Sequence, residues 1–247
     1  MSNEMMDDIR AERGVPSLVW RAGQNRRLEM IRKWGRTHNA AILVDGCGMG
    51  QYAIHLLEDS PHVVAFDIEH ERAANAHQHA SMVHVAAAEA LPYPANTFDV
   101  TLSHEVLEHV QDDQKALAEM VRTLKPGGRA IIFCPNRWYP VETHGHYWRG
   151  RYHFGNAPLI NYLPDVWRNK LAPHVRVYTR HGLRRMLDGL PVHIIHHARI
   201  YGAYDNIIAR FGTLGRILRS VIYLMERTPL RIFGLSHLVV IEKMADG

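Results

Sequence analysis

"ILVDGCGMG", residues 42–50, is the stretch whose reading decides the fold. Ile42 to Asp45 reads as a short buried strand that ends on an acid, and glycines follow at positions 46, 48 and 50. A strand running into such a turn presents bare backbone and the next helix N-terminus to a ligand, because glycine has no side chain to hold the ligand off. A dinucleotide-binding loop, G-x-G-x-x-G, would place its third glycine at position 51, which is Gln51. The spacing G-x-G-x-G argues against a pyrophosphate and for a nucleoside that carries an amino-acid tail.

Outward from that loop, short apolar runs alternate with polar, helix-like stretches. They are "AILVD" (41–45), "HVVAFD" (62–67), "MVHVA" (82–86), "FDVTLS" (98–103) and "RAIIFC" (129–134). Strands separated by helices imply parallel β-α-β units in an open, doubly wound α/β sheet. The second run ends in Asp67, where an acid faces the crevice of the sheet and can accept both hydroxyls of a ribose. The first 40 residues hold an amphipathic helix around "NRRLEMIRKW", with Leu28, Ile31 and Trp34 at three-residue steps. Residues 136–176 break the rhythm, being rich in aromatics, Pro, Gly and His, and read as an insertion over the C-terminal edge of the sheet. A helix at 179–187 and strands at 192–200 and 237–244 resume the pattern. The whole chain, 1–247, is expected to be one domain: an N-terminal helical extension (1–40), a core (41–135), the insertion (136–176) and C-terminal helices and strands (177–247).

Composition narrows the class. With 247 residues and 47% apolar content the chain can bury a full core, and a net charge of +4 spread through the sequence gives only a weak pull toward anionic partners. Cys47 and Cys134 form no C-x-x-C, so neither a disulfide framework nor a zinc ribbon is indicated and a reducing cytoplasm fits. The opening "MSNEMMDDIRAERG" is charged and lacks an apolar stretch, which speaks against a signal peptide.

Four motifs, "ILVDGCGMG", "AFDIE", "AAAEALPYPANTFDVTLSHEVLEHV" and "LKPGGRAIIFCPN", stand in an order and at spacings that resemble the class I S-adenosylmethionine-dependent methyltransferases. The resemblance is to the type 11 group that includes ubiquinone/menaquinone-biosynthesis-like enzymes, and it covers residues about 40–136. It implies a Rossmann-like sheet of seven strands with the last antiparallel, insertions after strand five and before strand seven, and S-adenosyl-L-methionine as cofactor. Asp45, Gly46, Cys47, Gly48 and Gly50 would surround the methionine portion, with Ser103 and His104 on the same side, and Asp67 with Ile68 beside it would take the ribose. Where the family usually has G-D-A-E this chain has Ala86-Ala87-Ala88-Glu89, so the acid that often meets adenine is Ala87 and backbone at Ala88 and Glu89 is left to reach the ring.

"SHEVLEHV" (103–110) looks like the zinc-peptidase H-E-x-x-H with one residue too many. Histidines four apart share a helix face, whereas His104 and His109 are five apart and diverge by about 140° at ~100° per residue. No metal site is therefore expected. Methyl transfer to a hydroxyl needs a base, and His109 and His144 are the candidates, the latter with Glu142 nearby as an orienting acid. Trp138, Tyr139, Trp148 and Tyr152 are candidates for an aromatic wall around the acceptor.

The expected reaction is methylation of a small molecule, at oxygen. RNA methylation and a non-catalytic, S-adenosylmethionine-binding regulatory module are the alternatives. DNA is set aside, because position 103–106 reads Ser-His-Glu-Val rather than Asn/Asp-Pro-Pro-aromatic and neither cysteine fits cytosine chemistry. RNA is not favoured, since no basic and aromatic stripe is present. Segment 206–230 reads as a basic amphipathic helix whose apolar face can pack on the core, pair with a second subunit or lie on an anionic membrane, with core packing the first choice.

Overall fold

The computed structural model describes residues 20–80 and 82–245; the first 19 residues of the N-terminal extension lie outside them. The amphipathic helix predicted near the N-terminus is α1 (Ala22–Gly35), which buries Leu28 and Ile31 against the sheet and leaves Trp34 half-buried. The core strands are β1 (Ile42–Asp45), β2 (Val63–Asp67), β3 (Val83–Val85), β4 (Phe98–His104) and β5 (Leu124–Pro135). Helices α2 (Gln51–Leu56), α3 (His70–His77) and α4 (Asp113–Thr123) connect them. The Asp112 carboxylate caps α4 by accepting the Lys115 N–H at 3.0 Å, and Leu117, Met120 and Val121 face inward at helical spacing.

Helix α6 (Arg180–Leu187) starts where the Thr179 hydroxyl accepts the Gly182 N–H, and β10 (Val192–Ile200) and β11 (Ser236–Lys243) complete the sheet. The strand order is β10-β11-β5-β4-β1-β2-β3. Strands β1 to β5 are parallel, while β11 runs antiparallel to both β5 and β10, as the resemblance implies. Alternate residues of β1 serve opposite faces: Ile42 and Val44 pack with α1, and Leu43 packs with α4 and α6. The chain leaves β1 outward to β2 and β3, then returns to β4 on the other side. The carboxyl ends of β1 and β4 are therefore the switch point at which a crevice opens.

The insertion has more structure than its sequence suggests. It folds into two small antiparallel pairs, β6 (Val141–Glu142) with β9 (Ala157–Pro158) and β7 (His146–Trp148) with β8 (Arg151–His153), followed by α5 (Asp165–Leu171). Strands of two or three residues are too short to show a period, and the insertion is held from inside by a polar pair. Arg168 and Glu142, each 1% exposed, meet at 3.0 Å.

Segment 206–230 corrects the expectation of core packing. Helix α7 (Asp205–Met225) is interrupted at Gly212, whose φ of 52° and ψ of −119° are not helical, so one helical wheel does not describe it. Phe211, Leu214, Leu218 and Val221 of the predicted buried face are exposed; the side chain of Ile207 is outside the described ones. Among the described residues no helix is long and apolar enough to cross a membrane.

Candidate active site

The tips of β1, β2 and β4 carry the polar groups the sequence nominated. Asp45 and Ser103 are register partners on adjacent strands, both buried, and Asp45 Oδ1 and Ser103 Oγ have no hydrogen-bond partner. Burial pushes the Asp45 carboxyl up to about 7, against the pull of the Ser103 hydroxyl and with repulsion from Asp67 and Glu89 added. Asp67 accepts the Gly48 N–H on Oδ2 at 2.8 Å and the Glu69 N–H on Oδ1 at 3.0 Å, so this acid also shapes the glycine loop. Gly46 and Gly50 sit at φ 59° and 78°. A Cβ at Gly46 would collide with the Val106 side chain, which fixes why position 46 is glycine. The Cys47 thiol is buried and pushed up to about 12, which removes it as a nucleophile.

On the nucleoside side, Ile68 is 56% exposed directly after Asp67 and offers an apolar face for a flat ring. Ala87 is engaged only through backbone, its carbonyl accepting the Ala90 N–H. Ala88 is buried beside it. Glu89 Oε1 accepts the N–H groups of Gln111 and Asp112 at 2.7 and 3.3 Å, which ties this carboxylate to the start of α4. Unpaired buried oxygens at two strand tips, an acid at the third and an exposed isoleucine beside it suit S-adenosylmethionine, whose ends are an amino acid and a purine nucleoside.

A cavity of about 470 Å³ adjoins this edge, lined among others by Arg27 of α1, Tyr52 of α2, His104 of β4, Tyr139 and Thr143 of the insertion, and Tyr204. His104 does not face His109. Its Nε2 receives Arg27 at 2.5 Å with the Tyr52 hydroxyl at 3.2 Å, and burial beside that guanidinium pushes its imidazole down to about 3, so it is a neutral acceptor. Of the four aromatics proposed as the wall only Tyr139 lines the cavity. Trp138 and Trp148 are exposed, and Tyr152 donates its hydroxyl to the His144 carbonyl. The wall is instead Tyr52, Tyr139, Tyr201 and Tyr204, of which the sequence reading found one.

The two candidate bases do come together, and with more partners than expected. The His109 and His144 rings lie edge to face at 5.4 Å. Glu142 Oε1 takes both the backbone N–H of His144 (3.0 Å) and its ring Nδ1 (2.9 Å), while Oε2 takes Arg168. Burial alone would raise the Glu142 carboxyl, but these bonds and charges hold it down at about 2. His144 Nε2 points at Glu108, 4.0 Å from Oε1. Glu108 is 1% exposed and neither of its oxygens has a hydrogen-bond partner. Ligand atoms of Glu108, His109 and His144 fall within 4.8 Å of one another, a cluster that the expectation of no metal site did not foresee. That expectation rested on His104 and His109; the partner that His109 meets comes from the insertion, 35 residues on.

Residues 43–132 match a family model described as a methyltransferase domain. Over 119 residues the chain is 31% identical to a phosphoethanolamine N-methyltransferase of Triticum aestivum, covering 44% of this chain and 24% of that protein. Over 47 residues it is 53% identical to the ubiquinone/menaquinone biosynthesis C-methyltransferase UbiE of Pasteurella multocida, covering 19% of this chain and 18% of that one. The chain thus spans less than a quarter of either relative's length. A solved S-adenosylmethionine-dependent methyltransferase from Mesorhizobium loti shares the fold with a TM-score of 0.61 at 16% identity, covering 90% of this chain and 98% of that one.

Proposed function

We propose that this chain, which belongs to the class I S-adenosylmethionine-dependent methyltransferases of the type 11 group, methylates a small hydroxylated molecule at oxygen. The observation that carries this reading is the cavity between donor edge and insertion. Its walls take Tyr52 and His104 from the elements around the glycine loop and Tyr139 and Thr143 from the segment that follows β5. An acceptor seated there lies next to the strand tips that suit the donor. When bound, S-adenosylmethionine supplies a methyl group activated by a sulfonium, and transfer breaks the carbon–sulfur bond as a carbon–oxygen bond forms, leaving a thioether and releasing the hydroxyl proton.

Most of the acceleration in such a step comes from holding donor and acceptor in line. Arg27, fixed by Glu105 and Ser236 at 3.0 Å each, and Tyr52 hold the cavity's donor-side wall. A hydroxyl must also be made nucleophilic, and the Glu108, His109 and His144 group, adjoining Thr143 of the wall, is the part of the chain suited to activating it. The relatives cited act at nitrogen and at carbon, so the choice of oxygen rests on this polar group alone. The test is a panel of matched phenols, anilines and activated carbon acids offered with a methyl-labelled donor. Label in the phenols only is expected. Label transferred to amines or carbon and not to oxygen would overturn the assignment.

A further inference from the structure

The group formed by Glu108, His109 and His144 brings one buried carboxyl and two half-buried imidazoles together. His144 gives its Nδ1–H to Glu142, which as a carboxylate held by Arg168 can only accept, so the lone pair of the neutral ring is on Nε2, the nitrogen that faces Glu108. Glu108 adds two oxygens without a partner, and His109 Nδ1 is buried and without one as well. The neighbouring cations are committed elsewhere: Arg27 to Glu105, His104 and Ser236, and Arg168 to Glu142 and the carbonyls of Ala172 and Val175. Ligand atoms that converge within 4.8 Å, with a buried carboxyl among them that no protein donor bonds, are matched by a positive ion.

We infer that Glu108, His109 and His144 bind one divalent transition-metal ion. Two imidazoles and one carboxylate suit zinc, cobalt or manganese rather than magnesium or calcium, which take oxygen ligands. The support behind His144 has the form such sites require. A buried carboxylate, Glu142, orients the imidazole through the nitrogen that does not face the cluster, and Arg168 in turn fixes that carboxylate. The insertion thereby has a second task beyond shaping the cavity: it delivers a ligand, His144, to two ligands of the loop that follows β4. Three protein ligands leave a coordination position open, and the acceptor's oxygen is the group of the proposed reaction that would fill it; this last step rests on the function proposed above, the ion itself does not. An oxygen bound to the ion loses its proton more readily, which supplies the activation a hydroxyl acceptor needs.

The experiment titrates the chelator-treated chain with zinc and cobalt, in separate runs, with neither donor nor acceptor present, by calorimetry and, for cobalt, by visible absorption. One ion per chain is expected, with a cobalt spectrum of low coordination number and a rise in melting temperature on adding zinc. Affinity should fall at least about 100-fold in Glu108→Gln and in His144→Ala, and about 10- to 100-fold in Glu142→Gln, which removes only the orienting charge. The exposed-ring control His181→Ala should bind as the parent does. The inference is overturned by absence of one-to-one binding to the parent protein, by magnesium competing with zinc on equal terms, or by unchanged affinity in the folded variants. Should Glu108→Gln fail to fold, the parent titration and the surface-proximal His144→Ala still decide. Because no methyl donor is used, failure here leaves the methyltransferase reading standing, and failure of the donor to bind leaves the ion site standing.

Discussion

Asp67 illustrates how one residue carries two duties. Its carboxylate closes the glycine loop through Gly48 and Glu69, and each oxygen keeps a lone pair for a ribose hydroxyl. Replacing it with alanine should therefore weaken S-adenosylhomocysteine binding by about 1.5–3 kcal/mol and also lower stability by ~1–3 kcal/mol through the two freed N–H groups. Calorimetry and a thermal melt on the same variant separate the two losses, and an unchanged melt would mean the loop is held without that acid. Asp45 makes a pH prediction. Its folded carboxyl is raised by burial from the ordinary 3.8 to about 7, so the folded state holds a proton that the unfolded chain has lost. The stability this gives is complete below pH 4 and is lost as pH rises through about 7. A cationic amino-acid tail beside it favours the ionised form, so ligand affinity should rise from pH 6 to 8, and Asp45→Asn should flatten that rise. Both acids were legible in the sequence, because each closes a short apolar run, Asp45 before a glycine turn and Asp67 at the end of the next run. Glu108 and Arg168 were not, since a charge buried at 1% exposure leaves no periodic mark.

At the scale of elements, the core strands and helices follow from their periodicity, and β1 to β5 appear where the apolar runs place them. The insertion and α7 do not. The insertion's strands, two or three residues each, close around an ion pair rather than an apolar face, so neither of the usual periods applies. In α7, Gly212 breaks the wheel on which a buried face was drawn. The aromatic wall was misplaced for a related reason: Tyr201 and Tyr204 lie after β10, more than 60 residues from Tyr139, and only the sheet order brings them together. The β7–β8 hairpin is the element whose removal is most informative. It packs on α5 of the insertion, so replacing residues 146–153 with a short glycine linker should leave S-adenosylhomocysteine affinity within a few-fold. Methyl transfer should fall by at least about ten-fold as His144 loses its neighbour Tyr152 and is no longer held for near-attack geometry. An equal loss of donor affinity, measured by calorimetry, would contradict the division of labour between sheet edge and insertion.

At the scale of the whole molecule, a seven-stranded sheet opens a crevice at its switch point that suits a methyl donor, and the insertion lines the cavity beside it. The G-x-G-x-G spacing, the register neighbours Asp45 and Ser103 with their unpartnered oxygens, and the strand-end Asp67 all bear on the same choice of ligand. Isothermal titration of the purified chain with S-adenosylhomocysteine and, separately, with NAD tests that choice most directly. One S-adenosylhomocysteine per chain, with no heat from NAD, is the predicted result; saturable NAD binding with no response to S-adenosylhomocysteine would contradict it.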